Sequence, residues 1–276
     1  MVASNGPHMS VYDQRAAGVV SHTDSPALIS RFTTSGSEVQ ALSARGDFVA
    51  FVDEDGHAGV CDIADDPSVS LSLFAGGHDA LAGCVVLHPE MPVMASGGFD
   101  CQMLVWDLAS ETTTSAFLAG SVSGADSPII SQQLINPPFC YALDFAPADT
   151  GVNQLMRVVS GHADGRLLCL SDEAVLCWPD CHRYSISALK FVCTRPDILA
   201  TASLDCSLAL WDADSILHPD IGAARSDGAN MVVLDKPPRL LAREELGAKP
   251  DTLVSSEITP TIYTDQGCDI VSYLIA

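Results

Sequence analysis

The sequence has 276 residues, a length that one all-β domain fills as readily as two average domains do. Apolar residues make up 47% and charged residues only 17%, so a large core can be built, yet no run reaches the ~18 apolar residues a membrane helix requires. The net charge of −22, from 35 acidic and 13 basic side chains, repels phosphate and argues against direct nucleic-acid binding, while it permits a basic protein partner. The opening MVASNGPHMS lacks a basic segment followed by an apolar run, so it does not read as a secretory signal, and a cytoplasmic or nuclear location is expected.

Without a secretory signal, ten cysteines do not read as a disulfide framework. Cys61, Cys84, Cys169 and Cys193 lie in apolar runs, where cysteine behaves as a small hydrophobe. The cluster Cys177-Trp-Pro-Asp-Cys181-His182 has the wrong gap for haem attachment and no second ligand pair for zinc. No metal and no cofactor is therefore expected.

Short β-branched or aromatic runs bounded by Gly, Asp or Pro recur along the chain, which is the mark of strands. Met9-Ser-Val-Tyr12-Asp13-Gln-Arg15 reads as the third strand of a unit, followed by a fourth near 29–33. Residues 38–63 give VQALSA, DFVAFVDEDG and HAGVCDI, with a fourth strand near 69–74. The clearest copy spans 77–107: Gly77-His78, then LAGCVVLHPEM, VMASGGFD and CQMLVWD, with a fourth strand near 113–118. A Gly/Ser/Asp/Pro-rich insertion is expected over 119–137. Residues 139–170 repeat the frame with Leu170 in place of tryptophan, and 174–177 supply a fourth strand. From His182 come YSISALKFVCTRPD, ILATASLD and CSLALWD, then a second polar insertion over 214–234 without strands, and a hint of helical periodicity over 240–246. The last copy is DTLVSSEI, PTIYTDQG and CDIVSYLIA, with Tyr273 near the tryptophan position. In the two clear copies the turn aspartate stands six positions before the tryptophan, Asp100 before Trp106 and Asp205 before Trp211. The copies repeat at roughly 40 to 45 residues, the period of a four-stranded propeller blade.

With their glycine-histidine opening, turn aspartate and Trp-Asp end, these copies resemble the WD-repeat family. The resemblance implies an all-β WD-repeat β-propeller in one domain over 1–276. About five blades are visible, with a partial N-terminal blade, of a seven-bladed ring whose start is missing. On that expectation the first two strands before Met9 lie outside the sequence, and residues 11–14 sit at an edge, unpaired on one side or paired to the C-terminal blade. The order of the units, with VYDQR, SGGFDCQMLVWDL, QQLINPP, LALWDADS and IVSYLIA, is also similar to the family of WD repeat-containing protein fifty-three.

The resemblance further implies a hydrogen-bonded chain in each good blade: His78, Ser96, Asp100 and Trp106, then His182, Thr201, Asp205 and Trp211. Such a chain satisfies a buried indole N–H, a hydroxyl and an imidazole at once. Blades with Cys61, Leu170 or Tyr273 in place of tryptophan are expected to rely on packing alone. A Ser-His-Asp hydrolase reading lacks a Gly-x-Ser-x-Gly elbow. The absence of phosphate loops and metal-ligand spacing likewise argues against an enzyme. The expected function is a non-catalytic protein-interaction scaffold, specifically a substrate receptor of a cullin-RING ubiquitin ligase. Tyr12, Asp13 and Arg15 would contact the ligase adaptor, by resemblance to the Trp/Tyr-Asp-x-Arg ends of other propeller receptors. The alternative is a reader of basic peptides such as histone tails.

Overall fold

The computed structural model describes residues 2–13, 27–64, 70–119, 137–147, 156–171, 174–220, 224–226, 231–234, 236–266 and 269–275. They form two compact units, one of residues 1–100 and 104–116, the other of residues 101–103 and 117–276. Among them the only helix is one short turn, and none is long and apolar enough to cross a membrane.

The first unit opens with β1 (Val2–Asn5), β2 (His8–Asp13) and β3 (Ala27–Thr33), hydrogen-bonded in that order. This corrects two expectations. Val2–Asn5 is itself a strand, turned back on β2 through the Asn5–His8 pair, and its mostly exposed VASN holds no apolar run to mark it. Nor does β2 lie at an edge, since Val11 pairs with Val2 on one side and Ser30 on the other. Next come β4 (Val39–Arg45), β5 (Phe48–Asp53), β6 (Ala58–Asp62) and β7 (Ser70–Leu73), a meander of four antiparallel strands. A second such meander follows as β8 (Ala82–Leu87), β9 (Val93–Gly98), β10 (Gln102–Asp107) and β11 (Thr112–Leu118). The two meanders stack through Ala50, Val52, Val85, Leu87, Met94 and Trp106, all buried. Each large apolar side chain removed from water here contributes about 2 kcal/mol.

In the second unit, β12 (Cys140–Phe145), β13 (Val158–His162), β14 (Leu167–Leu170) and β15 (Val175–Trp178) form the next meander, and β16 (Ile186–Val192), β17 (Arg195–Ser203) and β18 (Ser207–Asp212) begin another. The segment 214–234, expected to lack strands, instead carries most of α1 (Ala213–Leu217) together with β19 (Ala224–Ser226) and β20 (Met231–Leu234). Met231 to Val233 pair in parallel with Val175 to Cys177, extending that sheet to six strands. The hydrogen-bonding edge of β15 recruits a short apolar run, MVVL, from an otherwise polar segment. The helical hint over 240–246 is overturned as well. Leu240–Glu245 is strand β21, the outer neighbour of β18, because ladder pairing with Ser207 to Trp211 overrides local periodicity. A final sheet consists of β22 (Leu253–Ser255), β23 (Thr261–Gln266) and β24 (Asp269–Leu274). Trp178, Leu167, Ile186 and Trp211 stack the first two of these sheets, and Val192, Leu208, Leu253 and Ile262 stack the next pair.

One irregularity recurs and positions everything below. The pairing of first and second strands slips by one residue at Val39/Ala41, Ala82/Cys84, Cys140/Ala142 and Ile186/Ala188. A bulge of this kind bends the strand and re-aims its entering loop. Opposite the four bulges stand Asp53, Gly98, His162 and Ser203.

Candidate functional site

The loop entering β8 lays His78 over the second strand. His78 Nδ1 lies 3.0 Å from Asp100 Oδ1, and Nε2 lies 2.9 Å from Ser96 Oγ. Trp106 Nε1 donates to the same Ser96 Oγ at 2.9 Å, and the Asp79 N–H donates to Asp100 Oδ2 at 2.9 Å. The ends fix the direction of the chain: an indole only donates and a carboxylate only accepts. Trp106 therefore donates to Ser96, Ser96 to His78 Nε2, and His78 Nδ1–H to Asp100. Gly98 leaves the necessary space, since a Cβ there would stand 2.5 Å from His78 Nδ1.

The loop entering β16 repeats the arrangement. His182 Nε2 is 2.7 Å from Thr201 Oγ1, Trp211 Nε1 donates to that oxygen at 2.8 Å, and His182 Nδ1 is 3.1 Å from Asp205 Oδ2. The Arg183 N–H and the Ser207 N–H close on the Asp205 carboxylate at 3.0 Å each. Partial burial raises the Asp205 pKa, but the bonds from His182, Ser207 and Arg183 outweigh it and hold the carboxyl well below its ordinary range. All eight residues singled out from the sequence are thus gathered into two groups of four. Ser96 and Thr201 are fully buried, and their oxygens already accept an indole hydrogen. No carbonyl substrate can approach either, so the Ser-His-Asp sequence of contacts ties strands together without exposing a nucleophile.

The sheets with Cys61, Leu170 or Tyr273 in the tryptophan position do not rely on packing alone, which corrects that expectation. In the sheet of β12 to β15 the residue opposite the bulge is itself an imidazole. His162 Nε2 is 2.8 Å from Ser160 Oγ, and its Nδ1 is 2.9 Å from the Pro138 carbonyl. Burial, the largest influence, depresses His162 to about 4. In the sheet of β4 to β7 the same position holds Asp53, fully buried, which accepts from the His57 N–H at 2.8 Å, the Asp55 N–H at 3.0 Å and the Ser35 hydroxyl. Phe51 takes the serine position there, against Cys61 in the tryptophan position, whose thiol burial pushes up to about 12. In the last sheet Asp265 Oδ1 accepts from the Asp251 and Thr252 backbones at 2.9 and 2.7 Å. Sequence reasoning missed Asp53, His162 and Asp265. The signal was present in SGHADG, where Ser160 and His162 alternate along one strand.

Tyr12 and Asp13 close β2, paired with Leu28 and Ala27 after a register shift at Val11/Tyr12; Arg15 lies outside the described residues. Most of the expected insertion over 119–137 does so too. Cys177 and Cys181 are buried, and burial raises the Cys181 thiol above its ordinary range. Among the described residues no three His, Cys, Asp or Glu side chains converge as a metal site.

Residues 76–107 and 153–212 match the family model for the WD domain, G-beta repeat. Among solved structures, a chain in the crystal structure of a mitotic checkpoint complex is similar with a TM-score of 0.67. It is 13% identical, over all of this chain and 72% of that one. At that identity the likeness speaks for fold alone. Comparison with curated proteins gives no match. Stacked antiparallel meanders with indole–hydroxyl–imidazole–carboxylate chains define the class: an all-β WD-repeat β-propeller fold. WD repeats of this kind indicate a protein-interaction scaffold.

Proposed function

We propose that the chain is a non-catalytic scaffold that presents partner proteins to one another, and that it serves as a substrate receptor of a cullin-RING ubiquitin ligase. The scaffold reading rests on the two relays, whose hydroxyls are sealed from solvent and spent on holding strands. The receptor reading rests on the sequence Tyr12-Asp13-Gln14-Arg15, a Tyr-Asp-x-Arg motif whose first two residues close β2. A guanidinium in that place makes a planar two-point contact that lysine does not reproduce. The likeness to the family of WD repeat-containing protein fifty-three and a cytoplasmic or nuclear location belong to the same reading. Co-precipitation of the ligase's propeller adaptor tests it: wild type retains the adaptor and Arg15→Ala loses it. Retention by Arg15→Ala removes the motif assignment, and absence of the adaptor from the wild-type precipitate removes the receptor reading.

A second reading, a reader of basic peptides, is favoured by the net charge of −22. It requires salt-sensitive capture of a lysine-rich peptide, because screening weakens exposed charge pairs.

A further inference from the structure

The chain carries 35 acidic side chains against 13 basic ones, yet among the described residues that line two hollows of the second unit the ratio is inverted. The two hollows lie side by side, of about 640 and 500 Å³, and both are lined by the exposed Pro237 and the buried Pro238. The first has Lys236 and Arg239 on its rim with a single aspartate, Asp220. Arg183 and Arg243 line the second, again with a single aspartate, Asp180. Among the described lining residues four cations therefore stand with two carboxylates, and Asp212 approaches Arg239 from outside the lining.

These cations are held by the fold. Arg183 follows His182, and its backbone N–H donates to Asp205 at 3.0 Å, so the relay sets where its side chain starts. At the position equivalent to Arg183 the other relay carries Asp79, of opposite charge. Arg243 donates from Nη2 to the Cys181 carbonyl at 2.7 Å and lies 5.8 Å from the centre of the Trp211 ring, which leaves most of its five donors for a ligand. Arg239 stands 3.5 Å from Asp212 with 73% of its side chain exposed, a contact that solvent weakens. Apolar side chains contribute to both linings: Trp178, Pro219 and Leu234 in one hollow, and Trp211 and Leu240 in the other.

We infer that this double hollow binds an acidic linear segment of a partner protein. One Asp or Glu carboxylate enters each hollow, and an apolar or proline residue between them lies against the exposed Pro237. The inference deepens the scaffold reading and rests on it, but not on the adaptor motif. Two cations in each of two hollows match carboxylates spaced along a chain better than one compact dianion. The remaining surface, with its large negative charge, opposes the continuous charge of a nucleic acid. For a single acidic segment the repulsion is mostly screened, since the Debye length is about 8 Å at physiological salt, while contacts inside the hollows persist.

Fluorescence anisotropy on the full chain tests this with a short labelled peptide of alternating glutamate and alanine, a lysine–alanine counterpart, and oligothymidylate as competitor. The glutamate peptide binds and the lysine peptide does not. Lys236→Glu with Arg239→Glu weakens binding at least about tenfold, the effect of replacing two exposed attractions with repulsions. Arg183→Ala weakens it by a smaller factor. All four cations are exposed, so an unchanged melting temperature separates lost binding from lost folding. Equal binding of both peptides, or undiminished binding by the charge-reversed variant, overturns the inference. Competition by oligothymidylate as strong as by unlabelled peptide overturns the assignment to a protein segment. Failure of this assay leaves the scaffold reading standing if the full chain still captures partners in affinity purification, and partner capture that fails removes both.

Discussion

Acid should loosen the sheet of β12 to β15 through one residue. His162 is buried with Nδ1 against the Pro138 carbonyl, so that nitrogen carries the hydrogen and Nε2 accepts from Ser160. A second proton would place a cation in the core. Burial therefore holds the folded-state pKa at about 4, against the ordinary 6.5, although the Pro138 carbonyl and Asp164 favour the charged form. Because the folded pKa is the lower one, the unfolded chain binds the extra proton first. Stability is unaffected above about pH 6.5, falls by about 1.4 kcal/mol per pH unit below it, and levels off below about pH 4. At about pH 4.5 the loss amounts to a few kcal/mol. His88 is depressed in the same direction, chiefly by burial, and adds to the slope. Asp205, depressed relative to 3.8, withdraws its contribution only at lower pH. Urea midpoints measured from neutral pH downward, for wild type and His162→Gln, isolate the histidine. The variant is less stable at neutral pH but loses less on acidification, so the two curves converge. Parallel curves would refute the argument that a neutral buried imidazole governs this window.

Asp100→Ala strands the His78 N–H and the Asp79 N–H, and urea denaturation should register a loss of about 1–3 kcal/mol. Gly56 and Gly76 both have positive φ, +86° and +85°, but a Cβ on Gly56 would meet the backbone oxygens of His78 and Ala80 whereas one on Gly76 meets nothing within 4 Å. Gly76→Ala should cost about 1 kcal/mol of backbone strain, and Gly56→Ala distinctly more; equal costs would contradict the packing of His78. On the outer strand β24, Ile270 and Leu274 are 80% and 77% exposed, so Ile270→Lys with Leu274→Lys should reduce light scattering on storage without lowering the melting temperature. His78→Ala should cost about 2 kcal/mol, and adding Gly98→His should restore part of it by supplying Ser96 with an imidazole as His162 supplies Ser160. A double variant no more stable than His78→Ala would show that the two positions are not interchangeable.

What could be read from the sequence was whatever leaves a trace in residue type at fixed spacing. The fourth strands expected near 69–74, 113–118 and 174–177 correspond to Ser70–Leu73, Thr112–Leu118 and Val175–Trp178, because turn residues bracket short apolar runs. The relays were legible because a turn aspartate stands six positions before an indole in both copies, Asp100 before Trp106 and Asp205 before Trp211. β21 was not legible. Its residues LLAREE are good helix formers and all six are exposed, so only the ladder with Ser207 to Trp211 makes them a strand, and pairing across thirty residues has no local signature. β20 escaped for the same reason, since its partner β15 lies far upstream.

The relay substitutes were hidden differently. Losing tryptophan looked like losing the polar network, yet each meander faces the same problem: the loop entering its first strand must be tied to the second strand where the bulge has displaced the ladder. With histidine in the loop, the position opposite the bulge must be small, as at Gly98 and Ser203. In the sheets of β4 to β7 and β12 to β15, that position itself supplies the polar group, His162 reaching back to the Pro138 carbonyl and Asp53 gathering Ser35 and the His57 N–H. The pair of positions is what the architecture constrains, and either member can carry the chemistry. A repeat judged by its tryptophan alone looks degenerate, while the same repeat judged by what stands opposite its bulge is still hydrogen-bonded shut.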